Sequence, residues 1–371
     1  MTELYIGLMS GTSIDAIDAA LVALDPTTAE TVSTHSRPIP DLLRQRLITA
    51  CDPAEPASID ELGELDARLG VEFATAALDL LEAAGVAPKQ VRAIGSHGQT
   101  VRHRPLGEGA TTLQIADPNR IAELTGITTV ADFRRRDIAA GGQGAPLAPA
   151  FHAHAFRDAH EPCVVVNVGG MANLTLLPPA PSQAVTGFDT GPGNVLSDAW
   201  HGAHRGSRYD DAGAWAASGE ARPELLNQLL THPYFRRTPP KSTGREDFSL
   251  GWLRQQLGKL DSRFEPVDIQ ATVLELTARS ISDAIDGHAR GVEIVWVCGG
   301  GVHNTQLLRR LAALLPGRRI RSSAEAGLDP DWIEAIAFAW LAQRTLAGLP
   351  GNEPGVTGAS RSVVLGAIYP A

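Results

Sequence analysis

The sequence predicts an α/β protein built from two related halves. Three observations carry that expectation. A glycine-punctuated hairpin occurs twice, as Leu4-Tyr5-Ile6-Gly7-Leu8-Met9-Ser10-Gly11-Thr12-Ser13 running into Ile14–Val22, and as Val164-Val165-Val166-Asn167-Val168-Gly169-Gly170-Met171-Ala172-Asn173-Leu174. Short apolar strands alternate with helical stretches, the pattern of a sheet flanked by helices. The chain has 371 residues, more than one core usually holds, so two domains are expected.

The elements follow in order. Leu42, Leu43 and Leu47, then Leu62, Leu65, Leu69, Phe73, Leu78 and Leu81, recur at helical intervals, so 41–86 reads as helices closed by Gly85. Val91–Ile94 is a short strand entering Ser96-His97-Gly98-Gln99-Thr100, and Thr112–Ile115 is another. Asp117-Pro118-Asn119 starts a helix that Gly126 stops, and Ile127–Val130 is a strand ending at Ala131-Asp132-Phe133-Arg134. Gly141–Pro146 reads as a flexible junction, which places the domain boundary near it. The expected domains are therefore 1–135, completed by a C-terminal segment from about 355 to 371, and 136–354. The second half restarts at 163–177, passes Gly187–Asn194 into a helix through Trp200, and continues through a polar stretch at 205–265 with short helices. Asp268–His288 is a long amphipathic helix, and Val292–Cys298 is a buried-type strand. Gly299-Gly300-Gly301 then opens a helix to Leu315, and a last helix spans Asp331–Leu346.

Composition narrows the class. A hydrophobic content of 43% supports a globular core, and no stretch approaches the ~20 uninterrupted apolar residues of a membrane helix. No basic segment followed by an apolar run marks a secretory signal at the N-terminus. Three widely spaced cysteines, Cys51, Cys163 and Cys298, suit the reducing cytoplasm and give neither a disulfide framework nor a zinc site. A net charge of −10 argues against a nucleic-acid partner.

The chemistry lies in the glycine turns. Backbone N–H groups exposed where no Cβ blocks approach make an anion nest, so two such hairpins facing each other can hold a string of phosphates. Met9–Asp15 alone equally fits an ordinary hairpin turn; the second copy, with Gly169 and Gly170, favours phosphate binding. In that reading Asp15 meets a magnesium ion or its water. Gly299-Gly300-Gly301 after a strand lets a ligand lie against backbone. The spacing is neither the dinucleotide fingerprint nor a P-loop. Asp189, in Phe188-Asp189-Thr190-Gly191-Pro192-Gly193-Asn194, is a candidate general base, although Asp beside Gly and Pro more often caps or turns the chain. His97, Gln99, Asp132 and Arg134 follow strand ends, the usual ligand-lining position in open α/β sheets. A lone histidine is more often structural than catalytic, and which of Arg134, Arg135 and Arg136 faces the site stays open. Lys241-Ser242-Thr243-Gly244-Arg245-Glu246 fits a sugar or phosphate contact or a solvated loop.

Taken together, these motifs resemble the anhydro-N-acetylmuramic acid kinases of bacterial peptidoglycan recycling. The likeness runs nearly end to end: Gly7–Ser13 with Asp15 and Asp18, Ser96–Thr100, Ala131–Arg134, Ala139–Leu147, Asn167–Asn173, Phe188–Asn194, Lys241–Arg245, Cys298–Gly301 and Val356–Ala359. The resemblance implies two ribonuclease-H-like domains of the actin–hexokinase type, with mixed sheets flanked by helices and ATP and substrate in the cleft between them. It implies ATP with Mg2+ as cofactors, a small-molecule sugar as partner and a possible homodimer. Gly11, Thr12, Ser13, Ile14, Asp15, Ala16, Ile17 and Asp18 would form the first phosphate loop, Asn167, Gly169 and Gly170 the second, and Gly299, Gly300 and Gly301 the adenosine motif. The metal ligands are unknown. The implied reaction opens a 1,6-anhydro bridge by adding water at C1 and phosphorylates O6, with Asp189 as the base acting on water. His97, Gln99, Asp132, Arg134, Asn173 and Glu334 would bind the sugar; for Glu334, first-turn stabilisation of its helix is the plainer reading.

One departure stands out. The family usually has glycine after Asp15, where this chain has Ala16. A positive φ there would cost roughly 1 kcal/mol or more; a position in the returning strand would cost little. Two competing readings also remain at this stage: a conventional amino-sugar kinase on the same fold, and a sugar-sensing regulator without turnover.

Overall fold

A computed structural model describes residues 2–11, 14–26, 28–52, 57–158, 160–180, 183–239, 241–244 and 247–371. The chain divides into two compact units, 1–155 with 327–371, and 156–326.

The first unit begins with an antiparallel meander, β1 (Glu3–Met9), β2 (Ala16–Leu24) and β3 (Ala29–Pro38). Helices α1 (Asp41–Cys51) and α2 (Ile59–Ala84) follow. Ser58 caps α2 by accepting the Glu61 amide, and Gly85 ends it in the left-handed conformation, φ 65°, where glycine carries no Cβ penalty. β4 (Val91–Ser96) pairs parallel to β1. β5 (Gln99–Arg104) and β6 (Thr111–Ile115) form a separate two-stranded ribbon, so the strand expected at 112–115 lies outside the main sheet. α3 (Pro118–Thr125), β7 (Thr129–Ala131), α4 (Phe133–Ala139) and α5 (Ala148–Phe156) complete this stretch.

The second unit repeats the plan. β8 (Cys163–Val168), β9 (Met171–Leu177) and β10 (Thr186–Pro192) form its meander. An insert holds α6 (Val195–Arg205), α7 (Ala214–Ala217), α8 (Pro223–Leu230) and α9 (Leu250–Leu257). α10 (Pro266–His288) then covers the sheet, and β11 (Ile294–Cys298), α11 (Thr305–Leu314) and β12 (Arg319–Ser322) finish the unit. The chain returns to the first unit as α12 (Ile333–Leu346), α13 (Pro354–Thr357) and β13 (Ala367–Tyr369).

Strand order is β13-β7-β4-β1-β2-β3 in one sheet and β10-β9-β8-β11-β12 in the other. Each is three antiparallel strands continued by two parallel ones, the ribonuclease-H-like order, with β13 added at one edge. The fold class expected from sequence is the one observed.

The boundaries differ from the expected 135/136 and 354/355. Gly141–Pro146 is not a hinge between the units. Asp137, fully buried, accepts the Gly144 amide at 2.7 Å, the Asn352 side-chain amide at 2.7 Å and the Thr357 hydroxyl at 2.8 Å. These bonds fasten the loop and the C-terminal segment into the first unit. α12 belongs there as well. It lies so close to the sheet that a Cβ at Gly7 would collide with the Ala335 carbonyl oxygen, and one at Gly95 with that of Phe338.

The first core joins β1 and β2 (Ile6, Leu8, Ile17, Leu21) to α2 (Leu65, Leu69, Phe73, Leu80). The second unit has two clusters. One packs Val164, Val166 and Val295 against Ala278 and Ile281 of α10. The other gathers Trp200, Tyr234, Phe248 and Leu253 beneath the insert. Among the described residues no helix is long and apolar enough to cross a membrane.

Candidate active site

In the first unit, the groups at the strand ends converge on His97. β4 runs into this residue, and α4 starts at Phe133 directly after β7. The Arg134 Nε donates to His97 Nε2 at 2.9 Å, and its Nη1 donates to the Gly144 carbonyl at 2.7 Å. Because the guanidinium has only donors, His97 Nε2 must accept. Its proton therefore sits on Nδ1, which donates to the Gly98 carbonyl at 2.9 Å. Burial first, and the Arg134 charge second, hold the imidazole well below its usual pKa. His97 is a neutral orienter of Arg134, with its ring stacked on Phe338 at 4.7 Å. Arg134 is half-buried, while Arg135 and Arg136 are exposed. Burial lowers Arg134 to about 10, which leaves it charged at neutral pH; Glu334 and Asp137 favour that charge.

Glu334 lies in the first turn of α12. It is exposed to solvent, while neighbouring protein partly desolvates its carboxylate. That enclosure raises its pKa against the opposing pull of Arg134. Asp132 holds the left-handed conformation at φ 61° and makes no side-chain cap bond to the helix it precedes. It pairs with Arg135 at 3.5 Å. A cavity of about 420 Å³ is lined by Ser96, His97, Gln114, Asp132, Arg135 and Tyr369 among others. Asp132 thus shares a cavity with His97, with Arg134 outside its lining. Gln99 is buried and its amide is committed: Oε1 accepts the Ser10 hydroxyl at 2.8 Å and Nε2 donates to the Thr100 carbonyl at 3.2 Å.

The first loop shows where its cost lies. Ala16 opens β2 opposite Pro38 and has no positive φ, so alanine is free of strain there. The strained residue is Ile14, at φ 53°, a conformation a β-branched side chain rarely adopts. Its amide donates to the Gly11 carbonyl at 3.2 Å. Gly11 has open space around it, and Ile17 is buried in the core. Thr12 and Ser13 lie outside the described residues. Asp18 accepts the Ser36 hydroxyl at 2.9 Å; burial raises its pKa, and Asp15 and Asp331 add to the shift.

In the second unit, the hairpin and the glycine triplet meet. A Cβ at Gly299 would strike the Asn167 side chain, and one at Gly301 the Val168 side chain. Gly299 takes φ 77°, and a single 3-10 turn, Gly300–His303, precedes α11. Gly170 and Gly300 have open space where a side chain would be, leaving backbone accessible to an anion. Asn167, Asn173 and Asp189 lie directly opposite one another on β8, β9 and β10, so all three occupy one face of the sheet.

Asp189 sits at a register shift of β10, the kind of irregularity that re-aims a side chain. Its Oδ2 accepts the Thr243 amide at 3.0 Å. Its own amide donates to the Lys241 carbonyl at 3.1 Å, and the Tyr234 hydroxyl donates to its carbonyl at 2.5 Å. Burial raises the carboxyl pKa to about 6, against the lowering effects of the Thr243 bond and the Lys241 charge. Such a group is ionised yet basic near neutral pH. Sequence reasoning pointed to the 241–246 loop as a possible ligand contact but not as the frame of Asp189, and it missed Tyr234. Its only cue was an aromatic pair after Pro233 in an irregular stretch.

The profile of a family described as anhydro-N-acetylmuramic acid kinase matches residues 3–371. A Coxiella burnetii protein named anhydro-N-acetylmuramic acid kinase is 53% identical over 99% of this chain and 97% of its own length. One of the same name from Xanthomonas campestris pv. campestris is 55% identical over 100% of this chain and 98% of its own. One from Shewanella halifaxensis is 52% identical over 99% and 98%. Among solved structures, the Acidaminococcus fermentans (R)-2-hydroxyglutaryl-CoA dehydratase component A aligns with a TM-score of 0.50 at 13% identity, covering 93% of this chain and 99% of its own; that likeness concerns the fold alone. On sequence over nearly its whole length, the chain belongs to the anhydro-N-acetylmuramic acid kinase family.

Proposed function

We propose that the protein is an ATP-dependent kinase acting on 1,6-anhydro-N-acetylmuramic acid. It opens the anhydro bridge with water and phosphorylates O6, giving N-acetylmuramic acid 6-phosphate and ADP in peptidoglycan recycling and amino-sugar catabolism. The observation that carries the chemistry is Asp189, a carboxylate framed by backbone and raised to about 6.

The bridge oxygen O6 has no proton, so a base aimed at the phosphoryl acceptor would have nothing to remove. Asp189 instead takes a proton from water as the water oxygen bonds to C1 and the C1–O6 bond breaks. The electrons released to O6 form its bond to the γ-phosphorus, and the bond to ADP breaks. Phosphorylation thereby replaces protonation of the leaving oxygen. Arg134, held by His97 and Gly144, supplies a cation for the sugar's carboxylate. Glu334 accepts from a sugar hydroxyl, and Asn173 lies in line with the base. Gly170 and Gly300 offer backbone amides to the phosphates.

The donor set suits Mg2+. Among the described residues no group of three His, Cys, Asp or Glu side chains can hold a metal. Mg2+ characteristically uses one or two carboxylates and takes its other oxygens from water and phosphate. Asp18, with Asp15 adding to its raised pKa, would hold the ion directly or through water. Bound there, it would offset charge on the transferring phosphoryl group. Cys51, Cys163 and Cys298 form no disulfide, which fits a cytoplasmic enzyme.

Turnover with ATP, Mg2+ and the anhydro sugar in oxygen-18 water, read promptly by mass spectrometry, tests this reading. One heavy oxygen at C1 of the 6-phosphate, lost in Asp189→Asn, is expected. Product without heavy oxygen would indicate a conventional sugar kinase, and absence of product would refute the substrate.

A further inference from the structure

β10 is an edge strand of its sheet, so one side of its backbone has no strand to bond. Asp189 turns both main-chain groups to that side: its amide donates to the Lys241 carbonyl at 3.1 Å, and its carbonyl accepts the Tyr234 hydroxyl at 2.5 Å. The ladder to β9 is broken at the same place. Pairing steps from Asp189–Asn173 to Gly191–Ala172 and leaves Thr190 as an extra residue. At such a break on an edge, the sheet alone does not fix the backbone. Tyr234 and Phe235 make up what the sheet lacks. They lie in a single 3-10 turn, Pro233–Arg236, where His232 Nδ1 accepts the Tyr234 amide at 3.3 Å. Tyr234 is fully buried in the cluster that holds Trp200, Phe248 and Leu253, with the Phe248 ring edge-on to its own at 5.9 Å. The Phe235 ring rests on Gly191, where a Cβ would lie 2.8 Å from its Cε1. The turn therefore grips β10 on both sides of the extra residue, by a hydrogen bond at 189 and by packing at 191.

We infer that Tyr234, with Phe235 beside it, is a positioning residue for the base: its hydroxyl fixes the Asp189 backbone at the break in the ladder and so keeps the carboxylate aimed at the attacking water. This rests on Asp189 being the base. Tyr234 acts through the main chain of Asp189, whose Oδ2 is held separately by the Thr243 amide. Of the bonds from Lys241, Thr243 and Tyr234 to Asp189, only the last comes from a side chain, so it can be deleted without altering the backbone that supplies the others. The geometric demand is strict. A general base must lie within about 2.6–3.2 Å of the atom whose proton it takes, and a misplacement of about 1 Å costs on the order of 100-fold in rate. Without the hydroxyl, the Asp189 carbonyl loses this partner on the edge side, and 189–191 can relax away from the productive position.

The experiment is a double-mutant cycle of Tyr234→Phe with Asp189→Asn, read as the single-turnover rate constant for sugar phosphorylation with enzyme in saturating excess. That rate constant does not depend on the fraction of folded enzyme. Melting temperature and KM for ATP are measured on each variant. Tyr234→Phe keeps the ring in its cluster and should lower the rate constant by about 10-fold or more, with KM for ATP unchanged. In the Asp189→Asn background the same substitution should change it by less than about 2-fold, because the group it positions is already gone. Phe235→Leu loosens the Gly191 side of the grip, should give the same pattern more weakly, and replaces Tyr234→Phe in the cycle if that variant does not fold. A rate constant within about 2-fold of wild type in the folded variant overturns the inference. So does an equal loss in both backgrounds, as a general structural effect would cause. Full activity in Asp189→Asn alone overturns the base reading and this inference together, whereas an inactive Asp189→Asn beside an unaffected Tyr234→Phe overturns this inference only.

Discussion

The two sheets share one strand order and carry opposite chemistry. In the first unit the strand ends present a cation: Arg134, braced by a histidine that its own bond keeps neutral. In the second, β10 presents a carboxylate raised to about 6. The repeated fold decides where functional groups stand, at strand ends and glycine turns. What is inserted between the strands decides what they do. Between β4 and β7 the first unit adds the β5–β6 ribbon, and α12 stacks Phe338 on His97. After β10 the second unit adds the segment bearing Tyr234, Lys241 and Thr243, which frames Asp189.

Removing the proposed base should break this contrast most severely. Asp189→Asn is expected to lower kcat by about 10²–10⁴-fold with ATP affinity unchanged by calorimetry. In the wild type, kcat/KM should fall as pH drops through about 6, because the base is lost on protonation. His97→Gln should leave that midpoint in place, since His97 is already neutral; a shifted midpoint would mean that the first unit also carries proton chemistry.

Arg134→Lys removes two directed bonds that a point charge cannot reproduce. Losing charged hydrogen bonds of about 1.5–3 kcal/mol should raise KM for the sugar by about 10–100-fold in steady-state assays. The pH midpoint should not move.

Close-packed glycines test the frames beneath the chemistry. Gly7→Ala drives a methyl into α12, and Gly193→Ala drives one into the Gly169 carbonyl. Each should cost about 1–3 kcal/mol or more in denaturant unfolding. Gly11→Ala, with nothing nearby, should fall within about 0.5 kcal/mol of wild type. Helix caps should matter least and alike in both units. Ser58→Ala and Ser249→Ala each lose an N-cap bond and should cost about 1 kcal/mol by the same measurement.

Much of this was legible in the sequence, because the signals are local. The strand at 91–94, the hairpin at 163–177, the helix at 268–288 and the helix stop at Gly85 follow from apolar spacing and glycine alone. So does the pairing of two hairpins into two like halves. What sequence could not supply are contacts closed over long stretches of chain. Gly141–Pro146 reads as a hinge until Thr357, 220 residues beyond Asp137, ties it down. Gln99 reads as a ligand contact from its place after a strand, but its bond with Ser10, 89 residues away, is not readable there. Asp189 is visible as an aspartate in a glycine turn, but its pKa is set by burial and by an amide 54 residues further on. By itself the sequence determined the elements and their repetition, since propensity and periodicity act between neighbours. Only the tertiary structure decided which Arg faces inward, which His is neutral and which Asp is basic, because desolvation and charge depend on what the folded chain brings around each group.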